Sequence, residues 1–139
     1  KEVIDAAFTI VNIPSNLRVS IVVEEGIKPL YSDASMLKRV LVNLVQNAVQ
    51  AMPNGGKLTL NAYIKEKNVA IAVKDTGVGI PELIKDRLFT PMFTTKSKGQ
   101  GFGLAVVKRM TEALGGTIAF QSQEGKGTTF TICLPAPTS

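Results

Sequence analysis

Three stretches of this chain hold residues whose types and spacing suit chemistry. The first is Asp33 to Met52, DASMLKRVLVNLVQNAVQAM, where Asn43 and Asn47 stand four residues apart and so share one side of a helix. Amides at the margin of a buried face are costly unless something binds them, because each carries donors and an acceptor that water would otherwise satisfy. Taken alone, the pair fits solvated or capping amides better than it fits a ligand site. The second stretch is Asp75 to Ile80, DTGVGI, directly after a strand-like segment. Its two glycines let backbone approach a ligand closely, and a carboxylate at a strand end can accept from an exocyclic amine. A glycine-rich turn with a capping aspartate fits the stretch equally well. The third is Ser97 to Val107, SKGQGFGLAVV, which sets Gly99, Gly101 and Gly103 just ahead of a helix. Free N–H groups and the positive helix end suit a phosphate there, and Lys96 and Lys98 add charge. The triplet lacks the Gly-Lys-Ser/Thr of a Walker loop, and the strand order offers no parallel strand-helix-strand unit for a dinucleotide. No HRD or DFG follows it, which excludes a eukaryotic-type kinase loop.

The elements that must position these residues follow from the hydrophobic pattern. From an Asp33 N-cap, a helix of about five turns runs to Pro53, with Leu37, Val40, Leu41, Leu44, Val45, Ala48 and Met52 on one apolar arc. Ahead of it, residues 1–13 read as a short amphipathic helix, Leu17 to Glu24 as a strand and Lys28 to Ser32 as a second short one. After the PNGG turn, Lys57 to Glu66 and Asn68 to Asp75 flank Lys67 as an antiparallel hairpin. Pro81 to Leu88 suits a short helix with proline at its first position, and Phe89 to Gly103 reads as a mobile loop without apolar periodicity. Leu104 to Leu114 is a helix stopped by Gly115 and Gly116, and the strands TIAFQSQ and TTFTICLP close the chain around EGKG. Helices and antiparallel strands segregate, which predicts an α+β domain with one sheet and its helices on one face.

Bulk composition narrows the function. With 139 residues, 45% of them hydrophobic, the chain is one domain with enough apolar material for a core. No apolar run reaches the roughly 20 residues needed to span a bilayer, so no membrane contact is expected of this segment. The net charge of +5 is carried by scattered lysines and arginines with few aromatics between them, which argues against nucleic acid. The lone Cys133 cannot form an intrachain disulfide and fits a reducing compartment. The absence of histidine excludes a histidine metal site, a Ser-His triad and an internal phosphohistidine. A start at Lys1 without Met leads to the expectation that this is a piece of a longer protein.

In this order and spacing, the Asn-bearing helix, DTGVGI, LFTPMFTTK and GQGFGL resemble the N, G1, F and G2 boxes of the sensor histidine kinase ATP-binding domain. That family belongs to the wider gyrase, Hsp90, histidine kinase and MutL ATPase superfamily. The resemblance covers essentially the whole chain, including the tail LGGTIAFQSQEGKGTTFTICLP, and NAVQAM with FTPMFTTK is more like the nitrogen-regulation branch. It implies a Bergerat-type two-layer α/β sandwich with a mixed, mostly antiparallel sheet of about five strands and about three helices on one face. Residues 1–139 would be the catalytic and ATP-binding domain, with 1–13 a connecting helix from a dimerisation and phosphoacceptor domain. Its cofactors would be ATP and Mg²⁺, and its partners that histidine-bearing domain and a response regulator receiver domain, in the cytoplasm.

The resemblance also assigns roles. Asn47 would ligate the Mg²⁺ that bridges the ATP phosphates. Asp75 would read the adenine amino group, with Gly77, Gly79 and Ile80 shaping the pocket and Thr128 placing a hydroxyl near the base. Phe89 to Lys98 would be the ATP lid, with Phe93 packing it down and Thr95 and Lys96 near the terminal phosphates. Gly99, Gly101, Phe102, Gly103 and Leu104 would wrap the phosphates at the next helix. Two departures bear on this. Gln50 and Ala51 stand where many members have a basic residue and an aromatic, shifting the phosphate load to Lys96, Lys98 or the lid backbone. Gln100 and Phe102 replace the commoner Thr and Leu.

Asn43 separates kinase from hydrolase. In hydrolases of the superfamily that position is usually a water-activating Glu, whereas an amide takes no proton at neutral pH. The expected activity is therefore transfer of the γ-phosphoryl group to a histidine outside this chain, with Asn43, Asn47 and Lys96 as the catalytic set. An anti-sigma-type serine kinase of the same fold and a non-catalytic nucleotide-sensing module are the alternatives.

Overall fold

The computed structural model describes residues 13, 15–25, 34–66, 68–80 and 102–135. Among them are five strands and two helices: β1 (Leu17–Val23), α1 (Ala34–Gln50), β2 (Gly56–Lys65), β3 (Asn68–Asp75), α2 (Phe102–Ala113), β4 (Thr117–Gln123) and β5 (Gly127–Pro135). The strands form one sheet in the order β1-β2-β3-β5-β4. The helices expected over residues 1–13 and Pro81–Leu88, the short strand at Lys28–Ser32 and the Asp33 cap lie outside the described residues.

Helix α1 forms because its apolar positions recur at helical spacing without Gly or Pro. All seven residues of the expected arc, Leu37 through Met52, are buried. The helix ends at Gln50, just short of the expected Met52. Pro53 disfavours helical backbone at the residue before it, which accounts for the earlier stop. Helix α2 begins at Phe102, two residues before the expected Leu104. Its first turn tolerates a glycine readily, because the first N–H groups of any helix lack intrahelical partners. Beyond Ala113 the N–H groups of Gly115 and Gly116 donate to the carbonyls of Glu112 and Thr111, the paired bonds that end a helix at glycine. Buried Thr111 is satisfied by donating its hydroxyl to the Val107 carbonyl at 2.7 Å.

The strands alternate as half-buried strands should. Leu58, Leu60 and Ala62 of β2, Val69, Ile71 and Val73 of β3, and Phe130, Ile132 and Leu134 of β5 join the apolar residues of both helices in one core. The opposite face of β2 carries exposed Lys57, Asn61 and Lys65. Pairing is antiparallel throughout except between β1 and β2, which run parallel through the connection containing α1. The sequence pattern had suggested no parallel strand-helix-strand unit, and β1-α1-β2 is one. It does not revive a dinucleotide reading, because Gly103 of the triplet sits in the first turn of α2, and α2 leads into the antiparallel β4.

Register carries the consequence for function. Leu58 pairs with Asp75, Asp75 with Thr128, and Thr128 with Ser122, so one row of the core-side face runs from β2 to β4 at one end of the sheet. The apolar strand pattern thus delivers a carboxylate and two hydroxyls to a single line.

Packing predicts a sharp contrast along α1. Leu44, fully buried, should lose about 2–5 kcal/mol on Leu44→Ala, whereas exposed Gln46→Ala should change stability by about 0.5 kcal/mol or less. Urea unfolding followed by circular dichroism measures both, and similar losses would mean that α1 does not face the core as described.

Candidate functional site

Strand β3 reads Val69, Ile71, Val73 and then Asp75 on its core side, so a carboxylate takes the last slot of an apolar row. Asp75 is only 4% exposed. A carboxylate there is tolerable only with hydrogen-bond donors close by. Its Oδ1 accepts the Gly77 N–H at 2.9 Å and the Thr128 N–H at 3.3 Å. An ionised carboxylate accepts only, so this position addresses donors and repels lone pairs.

The loop after Asp75 is fastened on two sides. Toward α1, the Val78 N–H donates to the Ala51 carbonyl at 3.0 Å. Gly77 is required at this contact, since a Cβ there would lie 2.1 Å from the same carbonyl oxygen. Toward the β4–β5 turn, the Gly125 N–H donates to the Val78 carbonyl at 2.7 Å and the Ile80 N–H to Ser122 Oγ at 2.8 Å. Gly79, at φ 75°, presses so closely on this turn that a Cβ would meet the Gln123 carbonyl at 2.3 Å. Thr76 Oγ1 accepts the Lys57 N–H at 3.0 Å, tying the loop back to β2.

Thr128 is buried beside Asp75, and its Oγ1 lies 2.8 Å from Ser122 Oγ. A cavity of about 370 Å³ opens at this end of the sheet, lined by Asp75, Ser122, Gly127 and Thr128 together with Lys74 and Lys126.

One turn before Ala51 on α1 stands Asn47, half-buried, as is Asn43 a turn earlier. The Asn47 Nδ2 is buried and lacks a hydrogen-bond partner among the described residues. An unmet buried amide costs about 1–3 kcal/mol, and rotation about its terminal torsion puts the carbonyl oxygen in the same place. The position therefore suits a ligand group or a cation. No cluster of three or more His, Cys, Asp or Glu suited to a metal occurs among the described residues. A cation at Asn47 would take its remaining oxygens from its ligand and water, which is how Mg²⁺ is commonly held.

Of the residues expected from the sequence, Asp75, Gly77, Gly79, Ile80 and Thr128 converge on one loop and one strand end, with Asn43 and Asn47 on the helix to which that loop is tied. Leu104 is buried in the core at the start of α2, and Phe102 and Gly103 form the first turn of that helix. Phe93, Thr95, Lys96, Gly99 and Gly101 lie outside the described residues. Sequence reasoning missed Ser122 and the Ala51 carbonyl. Counting back the hairpin register from EGKG would have placed Ser122 opposite Thr128; nothing local marks Ala51.

Among proteins of known identity, the chain is 47% identical over 106 residues to the sensor histidine kinase ZraS of Escherichia coli (strain K12), covering 76% of this chain and 23% of ZraS. In three dimensions it is similar to the catalytic domain of histidine kinase ThkA, with a TM-score of 0.84 and 28% identity over 97% of this chain and 91% of that one. It is also similar to full-length ShkA solved in complex with AMPPNP, with a TM-score of 0.79 and 25% identity over 99% of this chain and 29% of that one. The five-stranded α+β fold is that of histidine kinase catalytic domains. Residues 32–138 match the family described as histidine kinase-, DNA gyrase B-, and HSP90-like ATPase, and the chain belongs to that family.

Proposed function

We propose that this chain is the catalytic ATP-binding domain of a two-component sensor histidine kinase, which binds Mg-ATP and passes the γ-phosphoryl group to a histidine outside the chain. The observation that carries the reading is the acceptor-only carboxylate of Asp75, buried at the strand end and backed by two N–H donors. It suits the amino group of adenine and disfavours a base presenting an oxygen there. The orphaned amide of Asn47 supplies the second half, one protein oxygen for a cation on the phosphates. When bound, Mg²⁺ would offset charge building on the phosphate oxygens during transfer.

The chain's residues hold, orient and shield; they do not accept. With no histidine in the sequence, the attacking imidazole nitrogen comes from another segment or protein. Its bond to the γ-phosphorus forms as the bond from that phosphorus to the β–γ bridging oxygen breaks, ADP departs with the electron pair, and the imidazole sheds its N–H proton. Asn43 cannot withdraw a proton from water, so hydrolysis of the bound nucleotide is left without a base. Lys96, Thr95 and the glycines at 99, 101 and 103 are the proposed phosphate contacts, with Phe93 as the packing residue of the lid.

The likeness to ZraS, ThkA and ShkA favours this reading over a serine kinase of the same fold. The chain spans 23% of ZraS, so the histidine-bearing domain and a response regulator receiver domain are proposed partners rather than parts described here. No helix among the described residues is long and apolar enough to cross a membrane. A cytoplasmic site of action fits the supply of ATP.

Titration with ATP in the presence and absence of Mg²⁺ tests the pocket. Asp75→Asn keeps a carbonyl oxygen for the Gly77 and Thr128 N–H groups but turns the other acceptor into a donor, and should weaken ATP binding about tenfold or more. Asn47→Ala should bring affinity with Mg²⁺ close to that without it. Unmodified affinity in both variants would sink the assignment. For the reaction, the chain alone should incorporate negligible phosphate from ATP, whereas adding a histidine-bearing dimerisation domain should yield acid-labile phosphate on that domain. Acid-stable phosphoserine would instead support the serine kinase. Asn43→Glu should raise ATP hydrolysis measurably above the unmodified chain; no gain would mean that a carboxylate at this position is not enough to make the base.

A further inference from the structure

The five strands hold four cations and a single carboxylate, and the two signs stand on opposite faces. Asp75 is on the core side, whereas Arg18, Lys57, Lys65 and Lys74 all have the other parity and are exposed. Both described helices pack against the core side, so among the described elements none covers this outer face. Three of its four cations gather at the Asp75 end. Arg18 stands directly across from Lys57 in the parallel pair of β1 and β2. Lys74 is across from Thr59, which makes it the diagonal neighbour of Lys57. The row through Lys74 runs from Ser20 and Thr59 to Thr129 and Gln121, hydroxyls and an amide beside the cations. Lys74, Gln121, Gln123 and Thr129 also line the cavity at this end, so part of its wall belongs to the outer face.

Folding alone does not account for this arrangement. Like charges set across from each other weaken a strand pair. Protection of a sheet edge explains a charge on β1, but Lys57 and Lys74 stand on the interior strands β2 and β3. A surface kept soluble without a partner mixes both signs, and the strands of this face carry no carboxylate. In the turn between β4 and β5, Lys126 and Glu124 offset each other. We propose that the outer face at this end, centred on Arg18, Lys57 and Lys74, docks an acidic segment of a protein partner. Its carboxylates pair with the three cations and accept hydrogen bonds from the hydroxyls and amide of the adjoining row. That row has no aromatic ring for a nucleobase to stack on and no large apolar side chain to enter a bilayer. A second copy of this chain would present the same charge and be repelled. The surface is independent of the nucleotide assignment, because its cations stand on the face opposite the Asp75 carboxylate.

The probe is a fluorescently labelled peptide of alternating Glu and Gly, titrated with the chain at about 0.15 M salt and followed by anisotropy. The unmodified chain should bind it, more weakly as salt rises. Arg18→Glu with Lys57→Glu should lower the affinity about tenfold or more, and Lys74→Glu alone should act in the same direction. Lys65→Glu with Arg109→Glu makes the same change of charge at exposed sites elsewhere and should lower it by less than about twofold.

Thermal unfolding checks that each variant is folded, and the Arg18→Glu, Lys57→Glu chain should bind ATP as the unmodified chain does. If that variant does not fold, Arg18→Gln with Lys57→Gln removes the charges without reversing them and should weaken peptide binding in the same direction. Equal losses in the two charge-reversed pairs would mean attraction to net charge rather than to this face, and overturn the proposal. So does a failure of the unmodified chain to bind the peptide. Binding of a labelled single-stranded oligonucleotide or of phosphatidylserine-containing vesicles through Arg18 and Lys57, without binding of the peptide, overturns it in favour of that other partner.

Discussion

A carboxylate on the core-side face of a sheet is the constraint around which this domain is arranged. Asp75 continues the apolar row of β3 and is 4% exposed, so its carboxylate needs hydrogen-bond donors close by. The answer is local and tertiary at once. The chain turns immediately at Gly77 to return an N–H, and β5 brings the Thr128 N–H from more than fifty residues further on. Close approach of the loop to Ala51 and to the β4–β5 turn follows from the need to hold that return in place. The carboxylate is thereby held in one place at the strand end, as preorganisation of a site requires.

Much of this could be read before any coordinates. The seven apolar residues of α1 stand at helical spacing, and their burial follows from that period alone. Asp75 was visible as a break in an alternating apolar strand followed by paired glycines. The glycines at 77 and 79 suggest close approach of backbone to a ligand, whereas the backbone that approaches them is the chain's own, at Ala51 and Gln123. What could not be read depends on partners distant in the chain. The parallel pairing of β1 with β2 is chosen across the whole of α1, and no local pattern in LRVSIVV marks it. Ser122 is one polar residue in a strand whose exposure alternates at a sheet edge, so composition gives it no distinction. Its meaning arises only when register sets it across from Thr128. The orphaned amide of Asn47 is likewise invisible in sequence, where Asn43 and Asn47 look alike.

The departures at Gln50 and Ala51 also gain a physical reading. Just past the end of α1 stands a small residue, Ala51, whose carbonyl receives the Val78 N–H while Gly77 packs against it. The end of α1 here serves loop attachment.

That attachment makes α1 a ruler. Asn47 and the Ala51 carbonyl are separated by one helical turn, a length fixed by backbone hydrogen bonds; under the proposed function the first would address the phosphate end of a nucleotide, and the second fastens the loop that would read its base. On that proposal the two ends of the ligand would be gauged against a single rod. A nucleotide with the right base but the wrong reach to its phosphates would then satisfy only one mark on that scale.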